Sequence, residues 1–117
     1  MKLKLELFDI VIDDLLKNPS GLVDCLGELN FNKLQDYIVD NLSSLDGGPS
    51  INNLQVENFQ YDVTNQLGSF RLCFNIDRRF CCSDIESCRN DYLDFDFKII
   101  NSTLIAFTEY FDWDLNN

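Results

Sequence analysis

The densest group of potentially reactive side chains lies in the stretch FCCSDIESC, residues 80–88, which holds three of the five cysteines of the chain. Cysteine thiolates can hold a zinc ion, form a disulfide or act as nucleophiles. Zinc sites usually combine two close pairs of cysteines, or cysteines with histidines, but Cys81 and Cys82 are adjacent and the chain has no histidine. We therefore expect reduced cysteines that bind no metal, with a zinc site and a regulatory or adventitious disulfide as the less favoured alternatives.

The same region is also the most acidic part of the chain, because residues 84–96 carry five acids and one arginine. Carboxylates can form a calcium loop, but such a loop needs alternate oxygen ligands, a glycine in its middle and a closing bidentate glutamate. The stretch DIESCRNDYLDFD has no glycine, and Asp94 and Asp96 alternate with apolar residues as in a strand. We expect no metal site here, and instead solvated carboxylates on one face of a sheet.

The composition of the chain argues against an enzyme. Without histidine, the Ser-His and Cys-His arrangements of nucleophilic catalysis cannot be assembled. There is no glycine-rich phosphate-binding loop, and with twenty acids in 117 residues carboxylate pairs arise by chance. We expect a protein without catalytic residues or cofactor. Acid–base chemistry by aspartate and glutamate alone is the remaining alternative.

The charge of the chain is its most unusual property, since twenty acids against nine bases give a net charge of −11 at pH 7. The acidity is spread out: residues 1–50 hold nine acids and four bases, and residues 51–117 hold eleven acids and five bases. Such a surface repels nucleic acids and anionic membranes and attracts basic proteins. Acids interrupt any apolar signal region at the start, and no apolar run is long enough to span a bilayer. We expect a cytoplasmic protein, monomeric on its own, that binds neither nucleic acid nor membrane.

The first part of the chain, residues 1–46, shows the apolar spacing of helices. From Leu5 onward apolar residues recur every three or four positions, although Leu3–Leu7 also alternates and a strand there is the alternative. Pro19 follows a capping asparagine and starts a second, short helix. Asn32 caps a third helix, which ends at DGGPS. We expect three helices.

The second part of the chain, residues 51–117, alternates apolar and polar residues as strands do. Four such segments, FQYDV, FRLCFNI, LDFDFKI and LIAFTEYF, are joined by short or moderate links and predict an antiparallel meander. The parity of the apolar residues changes near Glu57-Asn58, which indicates a bulge, unless the strand begins only at Asn58. We expect one α+β domain over residues 1–117, with the N-terminal helices packed on one face of a roughly four-stranded antiparallel sheet. The expected core includes Leu34, Ile38, Leu42, Phe70, Leu72, Phe74, Phe95 and Phe97.

The opposite face of the sheet is expected to be polar, with an excess of carboxylates. Like charges at neighbouring positions of a sheet are unfavourable, so a merely solvated face does not explain their number. Tyr92, Tyr110 and Trp113 place aromatic rings near carboxylates. This combination suits a protein-binding surface, in which aromatic side chains anchor the partner and acids steer it. The expected partner-binding residues are Asp84, Glu86, Asp91, Asp94, Asp96, Tyr110, Asp112 and Trp113.

The acidity, the helix-then-meander layout and the segments RRFCCSDIESC and YFDWDLNN resemble small acidic immunity proteins of bacterial contact-dependent growth-inhibition toxin systems. The resemblance implies a protein that binds a cognate basic toxin, often a nuclease, and blocks its active site or substrate cleft by occupancy. It assigns no role to individual residues. Two alternatives remain open: a nucleic-acid mimic from a mobile element, for which Asp94 and Asp96 approach the spacing of phosphates, and a structural subunit of a larger assembly.

Overall fold

The computed structural model of the chain describes residues 3–42, 48–80 and 85–108, and for residues 79–80 and 85–89 it describes the backbone alone. In chain order the elements are β1 (Leu3–Leu7), α1 (Ile12–Lys17), α2 (Gly21–Asp40), β2 (Ser50–Asp62), β3 (Leu67–Phe80), β4 (Ile85–Ile100) and β5 (Thr103–Thr108). The strands form one sheet in the order β1-β5-β4-β3-β2, and every neighbouring pair is antiparallel. The predicted α+β class and the meander of β2 to β5 are confirmed.

The described chain begins with a strand at the place where the apolar spacing favoured a helix. β1 pairs antiparallel with β5, with Leu3 opposite Thr108. The three leucines of β1 are buried, while Lys4 and Glu6 between them are exposed. The leucines fit both the helical and the strand period. Pairing with β5, which lies far along the chain, makes this segment a strand. The sheet therefore has five strands in the described chain instead of four. The strand alternative at Leu3–Leu7 is confirmed, and the helix predicted from Leu5 begins only at Ile12.

Within the described residues the helical layer contains two helices instead of three. α1 begins at Ile12, and α2 runs from Gly21 to Asp40 with an interruption at Gly27, whose φ of 70° and ψ of 174° are not helical. Glycine has no Cβ and adopts a positive φ without the steric cost that other residues meet. The second and third predicted helices are thus one kinked element, and the separate start predicted at Asn32 is wrong. Neither described helix combines the length and the apolar composition needed to cross a bilayer.

β2 contains two bulges that keep its apolar residues on one face. Its register against β3 shifts by one residue at two places. Asn53 and Asn58 lie at these places in the left-handed conformation, with φ of 53° and 54°, which asparagine tolerates better than most residues. The bulge predicted near Asn58 is confirmed, whereas the one at Asn53 was not predicted. The residues that the bulges bring against the core are Ile51, Leu54, Val56, Phe59 and Tyr61.

The core lies between the helices and one face of the sheet, the inner face. Both helices contribute to this core, with Leu15 from α1 and Leu34 from α2. Aromatic rings stack within it, and the ring centroids of Phe70 and Phe95 are 5.0 Å apart. In the described part of the chain neither helix lies on the opposite, outer face. All of the predicted core residues are buried: Leu34, Ile38, Leu42, Phe70, Leu72, Phe74, Phe95 and Phe97.

Candidate protein-binding surface

The outer face of the sheet carries the residues that alternate with the core positions. Directly opposite residues of an antiparallel pair share a face, and Arg71 lies opposite Asp94 while Cys73 lies opposite Tyr92. Asp96 lies opposite Phe107 of β5. The outer face therefore combines charged, polar and aromatic side chains, among them Glu57, Arg71, Cys73, Asn75, Tyr92, Asp94, Asp96, Lys98, Ile105 and Phe107.

Arg71, Tyr92 and Asp94 form a cluster near the centre of the outer face. The Arg71 guanidinium donates two hydrogen bonds to the Asp94 carboxylate, from Nε to Oδ1 at 2.8 Å and from Nη2 to Oδ2 at 3.2 Å. The Arg71 Cζ lies 3.9 Å from the centre of the Tyr92 ring. The hydrogen bond to Asp94 raises the pKa of Arg71 above its ordinary value. The paired hydrogen bonds and the stacking hold the three side chains in one orientation.

A shallow cleft of about 410 Å³ opens beside this cluster, toward β2. Its lining includes Asn53, Gln55, Glu57, Arg71, Cys73, Asn75, Asn90 and Tyr92. Burial and, to a smaller extent, the Glu57 carboxylate raise the pKa of the Cys73 thiol. The sulfur therefore stays protonated at neutral pH, and a protonated thiol is a poor nucleophile and a poor metal ligand. The cleft offers amide groups for hydrogen bonds to a partner.

The structure places two of the predicted acids together and a third elsewhere. Asp94 and Asp96 are both exposed on the outer face. Asp91 lies opposite the buried Phe74, on the inner face, because it is separated from Asp94 by an odd number of positions and side chains of a strand alternate. For Glu86 the backbone alone is described. The other predicted residues, Asp84, Tyr110, Asp112 and Trp113, lie outside the described residues.

The two predicted acids that lie on the outer face, Asp94 and Asp96, differ in the charge that they offer to a partner. Asp94 is held by Arg71, which offsets its charge. Asp96 forms no ion pair with any residue that the structure describes. Lys98 follows on the same face, with its Nζ 5.9 Å from the centre of the Phe107 ring. Asp96 is therefore an unpaired negative charge of this face within the described chain, as is Glu57, and sequence patterns do not reveal this difference from Asp94.

The helical side of the molecule carries more unpaired negative charge than the outer face, and this was not predicted. Residues 9–40 hold seven acids and two lysines, all of them exposed. Within the described ranges none of the seven acids forms an ion pair. Their exposure follows from their positions outside the apolar stripe of the helices, but their lack of partners is a property of the fold. The seven are Asp9, Asp13, Asp14, Asp24, Glu28, Asp36 and Asp40.

The cysteines are described only in part. The side chains of Cys25, which is exposed, and Cys73, which is partly buried, are free thiols. Among the residues with described side chains, no group of three or more His, Cys, Asp or Glu is placed to hold a metal ion. Cys81 and Cys82 lie outside the described residues, and for Cys88 only the backbone is described. The reduced state of all five cysteines stays a prediction.

No protein-family model matches the chain, nor does any curated protein sequence or any solved structure. The function is therefore inferred from the surface itself. Its two main features are the open outer face with the Arg71, Tyr92 and Asp94 cluster, and the unpaired carboxylates of residues 9–40. Negative surface potential of this kind is complementary to a basic protein.

Proposed function

We propose that the protein is an immunity protein that binds a cognate basic bacterial toxin, such as a nuclease, and neutralises it by covering its active site or substrate cleft. The observation that carries the proposal is the set of exposed carboxylates of residues 9–40, which have no cationic partner in the described chain. Inhibition by occupancy needs binding alone and requires no catalytic group on the inhibitor.

A basic substrate cleft is the surface most complementary to these carboxylates. A nuclease presents lysines and arginines to the phosphate backbone, and the same cations attract the acids of this chain. Attraction of this kind accelerates association by roughly 10- to 1000-fold. Binding to a cation of the toxin disrupts no ion pair with a described residue at Asp13, Asp14 or Asp96. Their attraction to the toxin is therefore not offset by the loss of such a pair.

The cluster of Arg71, Tyr92 and Asp94 supports binding by orientation more than by charge. Tyr92 remains 43% exposed, and its ring is already stacked on Arg71 before any partner arrives. A side chain that is ordered in advance loses little conformational entropy on binding. Tyrosine and arginine are also the residues that most often dominate the binding energy of protein interfaces. The cluster is therefore suited to anchor the bound partner, while the exposed acids attract that partner during association.

A nucleic-acid mimic, the alternative function, is less well supported by the outer face. Such a mimic needs a row of unpaired carboxylates, and positions two residues apart along a strand are about 6.6 Å apart. Asp94 and Asp96 have that sequence spacing. However, Arg71 binds the first of them and Lys98 follows the second. Basic side chains within the row disfavour contact with a DNA-binding cleft.

The proposal is tested by neutralisation of a toxin in living cells. Cells that express the toxin encoded beside this chain should grow only when the chain is expressed with it. A catalytically inactive form of that toxin should form a stoichiometric complex with the purified chain, and added salt should slow the association. Failure to protect against any toxin encoded nearby would contradict the proposal. Inhibition of a sequence-specific DNA-binding protein in its place would support the mimic.

A further inference from the structure

The exposed apolar side chains of the described structure gather at one end of the sheet. The β1–α1, β2–β3 and β4–β5 connections meet at this end, as the strand order and registers require. Of the eight large apolar side chains that are exposed in the described chain, five lie in or beside these connections. These five, the apolar end, are Phe8, Val11, Val63, Leu67 and Ile100, with exposed fractions of 67%, 57%, 72%, 52% and 48%.

Hydrogen bonds between the connections hold the apolar end together. The Ile10 amide donates to the Ser102 carbonyl at 2.8 Å, which ties the β1–α1 connection to the β4–β5 turn. The Ile99 amide donates to the Gln66 carbonyl at 3.2 Å, which ties β4 to the β2–β3 turn. Within that turn the Asp62 carboxylate accepts hydrogen bonds from two backbone amides. The apolar side chains therefore project from a backbone that is ordered before a partner binds, which lowers the entropic cost of binding.

The apolar end is continuous with the outer face. Leu67 lies opposite Lys98, which places it on the outer face. Ile105, opposite Lys98 on the other side, and Phe107, opposite Asp96, are partly buried and extend the apolar surface along β5. One surface thus runs from the three connections to the unpaired carboxylate of Asp96.

The rim of the apolar end is acidic. Asp9 lies in the β1–α1 connection and Asp13 and Asp14 in the first turn of α1. All three are exposed, and none pairs with a base in the described ranges. The bases nearest in the chain to these connections are Lys4, Lys17, Arg71 and Lys98. Of these, Lys4 pairs with Glu6 and Arg71 pairs with Asp94. An apolar centre with an acidic rim is complementary to an apolar centre with a rim of lysines or arginines.

A cleft of about 410 Å³ lies within this rim and suits a single basic side chain. Val11 and Leu15 contribute apolar wall to it, and Asp9 and Asp14 contribute carboxylates. Lys17 also lines the cleft, so the two carboxylates outnumber its single cation. Lysine and arginine bury an apolar stem while their charged head remains near polar groups. The combination of wall and carboxylates in this cleft matches both parts of such a side chain.

We propose that the apolar end is the anchor of the interface with the toxin. It takes an apolar cluster of that protein, and the cleft between Asp9 and Asp14 takes one of the lysine or arginine side chains that flank the cluster. The inference rests on the proposed function and adds where the contact lies and which chemistry it uses. A second copy of the chain does not fit, because each copy carries a net charge of −11 and the acidic rims would face each other. An anionic membrane is repelled for the same reason.

The test compares exposed apolar side chains inside and outside the apolar end. The probe is a catalytically inactive form of the toxin that the wild-type chain neutralises. Phe8→Ser combined with Val63→Ser should raise the dissociation rate about tenfold or more and weaken protection, at an unchanged melting temperature. Leu29→Ser removes a side chain of α2 that is 87% exposed and lies outside the apolar end. This control should leave binding and protection unchanged.

The outcomes separate this inference from the proposed function. A wild-type chain that neutralises no toxin overturns both. Neutralisation and dissociation that are equal for the wild type and the Phe8→Ser/Val63→Ser variant overturn the inference alone. Two further results would also overturn the inference, because each would show that the apolar end binds something other than the toxin. One is a wild-type dimer that the variant converts to a monomer. The other is binding to phosphatidylserine vesicles that the variant abolishes.

Discussion

The ring of Phe97 covers Gly68 on the neighbouring strand and fills the space that a side chain at position 68 would need. The two residues lie directly opposite each other in the register of β3 and β4. A Cβ on Gly68 would collide with the Phe97 ring and with the backbone carbonyl of Gln60. Tyr61 stacks on Phe97 with ring centroids 5.9 Å apart and planes 4° apart, and Phe59 lies 5.5 Å from the same ring. The glycine thus allows an aromatic layer to pack closely on the sheet.

We expect the Gly68→Ala variant to be less stable than the wild type by about 1–3 kcal/mol, because the added methyl group overpacks this contact. Urea denaturation followed by tyrosine and tryptophan fluorescence measures the difference. Gly21→Ala is the matched control, since outside the adjacent helix backbone no atom lies within 4 Å of a Cβ at that position and alanine favours helix. Equal stability of the Gly68→Ala variant and the wild type would show that the Phe97 ring moves aside without cost.

Two leucines of α2 offer a second test of the fold. Leu34 is 0% exposed and Leu29 is 87% exposed. Leu34→Ala should lower the free energy of unfolding by about 2–5 kcal/mol, because it leaves a cavity in the core. Leu29→Ala should change it by less than about 0.5 kcal/mol. Chemical denaturation of both variants checks the orientation of α2, and similar losses for the two would mean that the helix is rotated.

Charge reversal at Asp96 tests whether negative charge on the outer face speeds association with the toxin. Asp96→Lys removes one attraction to a basic toxin and adds one repulsion, so we expect association to slow about threefold to tenfold at low salt. Asp36→Lys makes the same change of charge at an exposed position of α2, among the carboxylates of residues 9–40, and should slow association as well. Stopped-flow association at two salt concentrations measures both. Slowing by Asp36→Lys but not by Asp96→Lys would remove the outer face from the steering surface.

The carboxylate of Asp94 is expected to contribute little to stability. Its ion pair with Arg71 is exposed to solvent, with side-chain exposures of 35% for Arg71 and 62% for Asp94, and exposed pairs of this kind contribute about 0–1 kcal/mol. Asp94→Asn should therefore melt close to the wild type. It should still weaken toxin binding, because Tyr92 loses the arginine that is fixed against its ring. Unaltered binding of this variant would remove the cluster from the interface.

Thiol reactivity tests the environment of Cys73. Burial, and to a smaller extent Glu57, raises its pKa, so the reactive thiolate appears only at higher pH than for an ordinary cysteine. We expect iodoacetamide to label the exposed Cys25 first and Cys73 later, with the Cys73 rate rising at more alkaline pH. Glu57→Gln removes a negative charge beside the sulfur and should shift that rise to lower pH. Peptide mass spectrometry across the pH range checks this, and an unshifted profile in Glu57→Gln would assign the pKa to burial alone.

The sequence predicted the sheet well because most of its strands follow the simple alternation of period two. Phe70, Phe95 and Phe97 are buried as their parity requires. The bulge at Asn58 was also predictable, since Val56 and Phe59 are three positions apart yet both apolar. β1 was missed because its leucines fit two periods. Local periodicity cannot decide such a case when the pairing partner lies at the other end of the chain.

The candidate site was harder to predict than the fold. The sequence places Asp91, Asp94 and Asp96 together, but strand parity sends Asp91 to the inner face. The pairing of Asp94 with Arg71 depends on the register of β3 against β4, which composition does not specify. The apolar end depends on which connections meet in space, and that follows only from the strand order.

The bulges of β2 do more than keep its apolar residues on the face that packs against the core. β2 is an edge strand of thirteen residues, and a long regular edge is a template for strands from other molecules. Asn53 and Asn58 interrupt this template twice, so that an incoming strand cannot keep its register along the whole edge. We therefore expect this phenylalanine-rich chain to resist edge-to-edge polymerisation and to stay dispersed at high concentration.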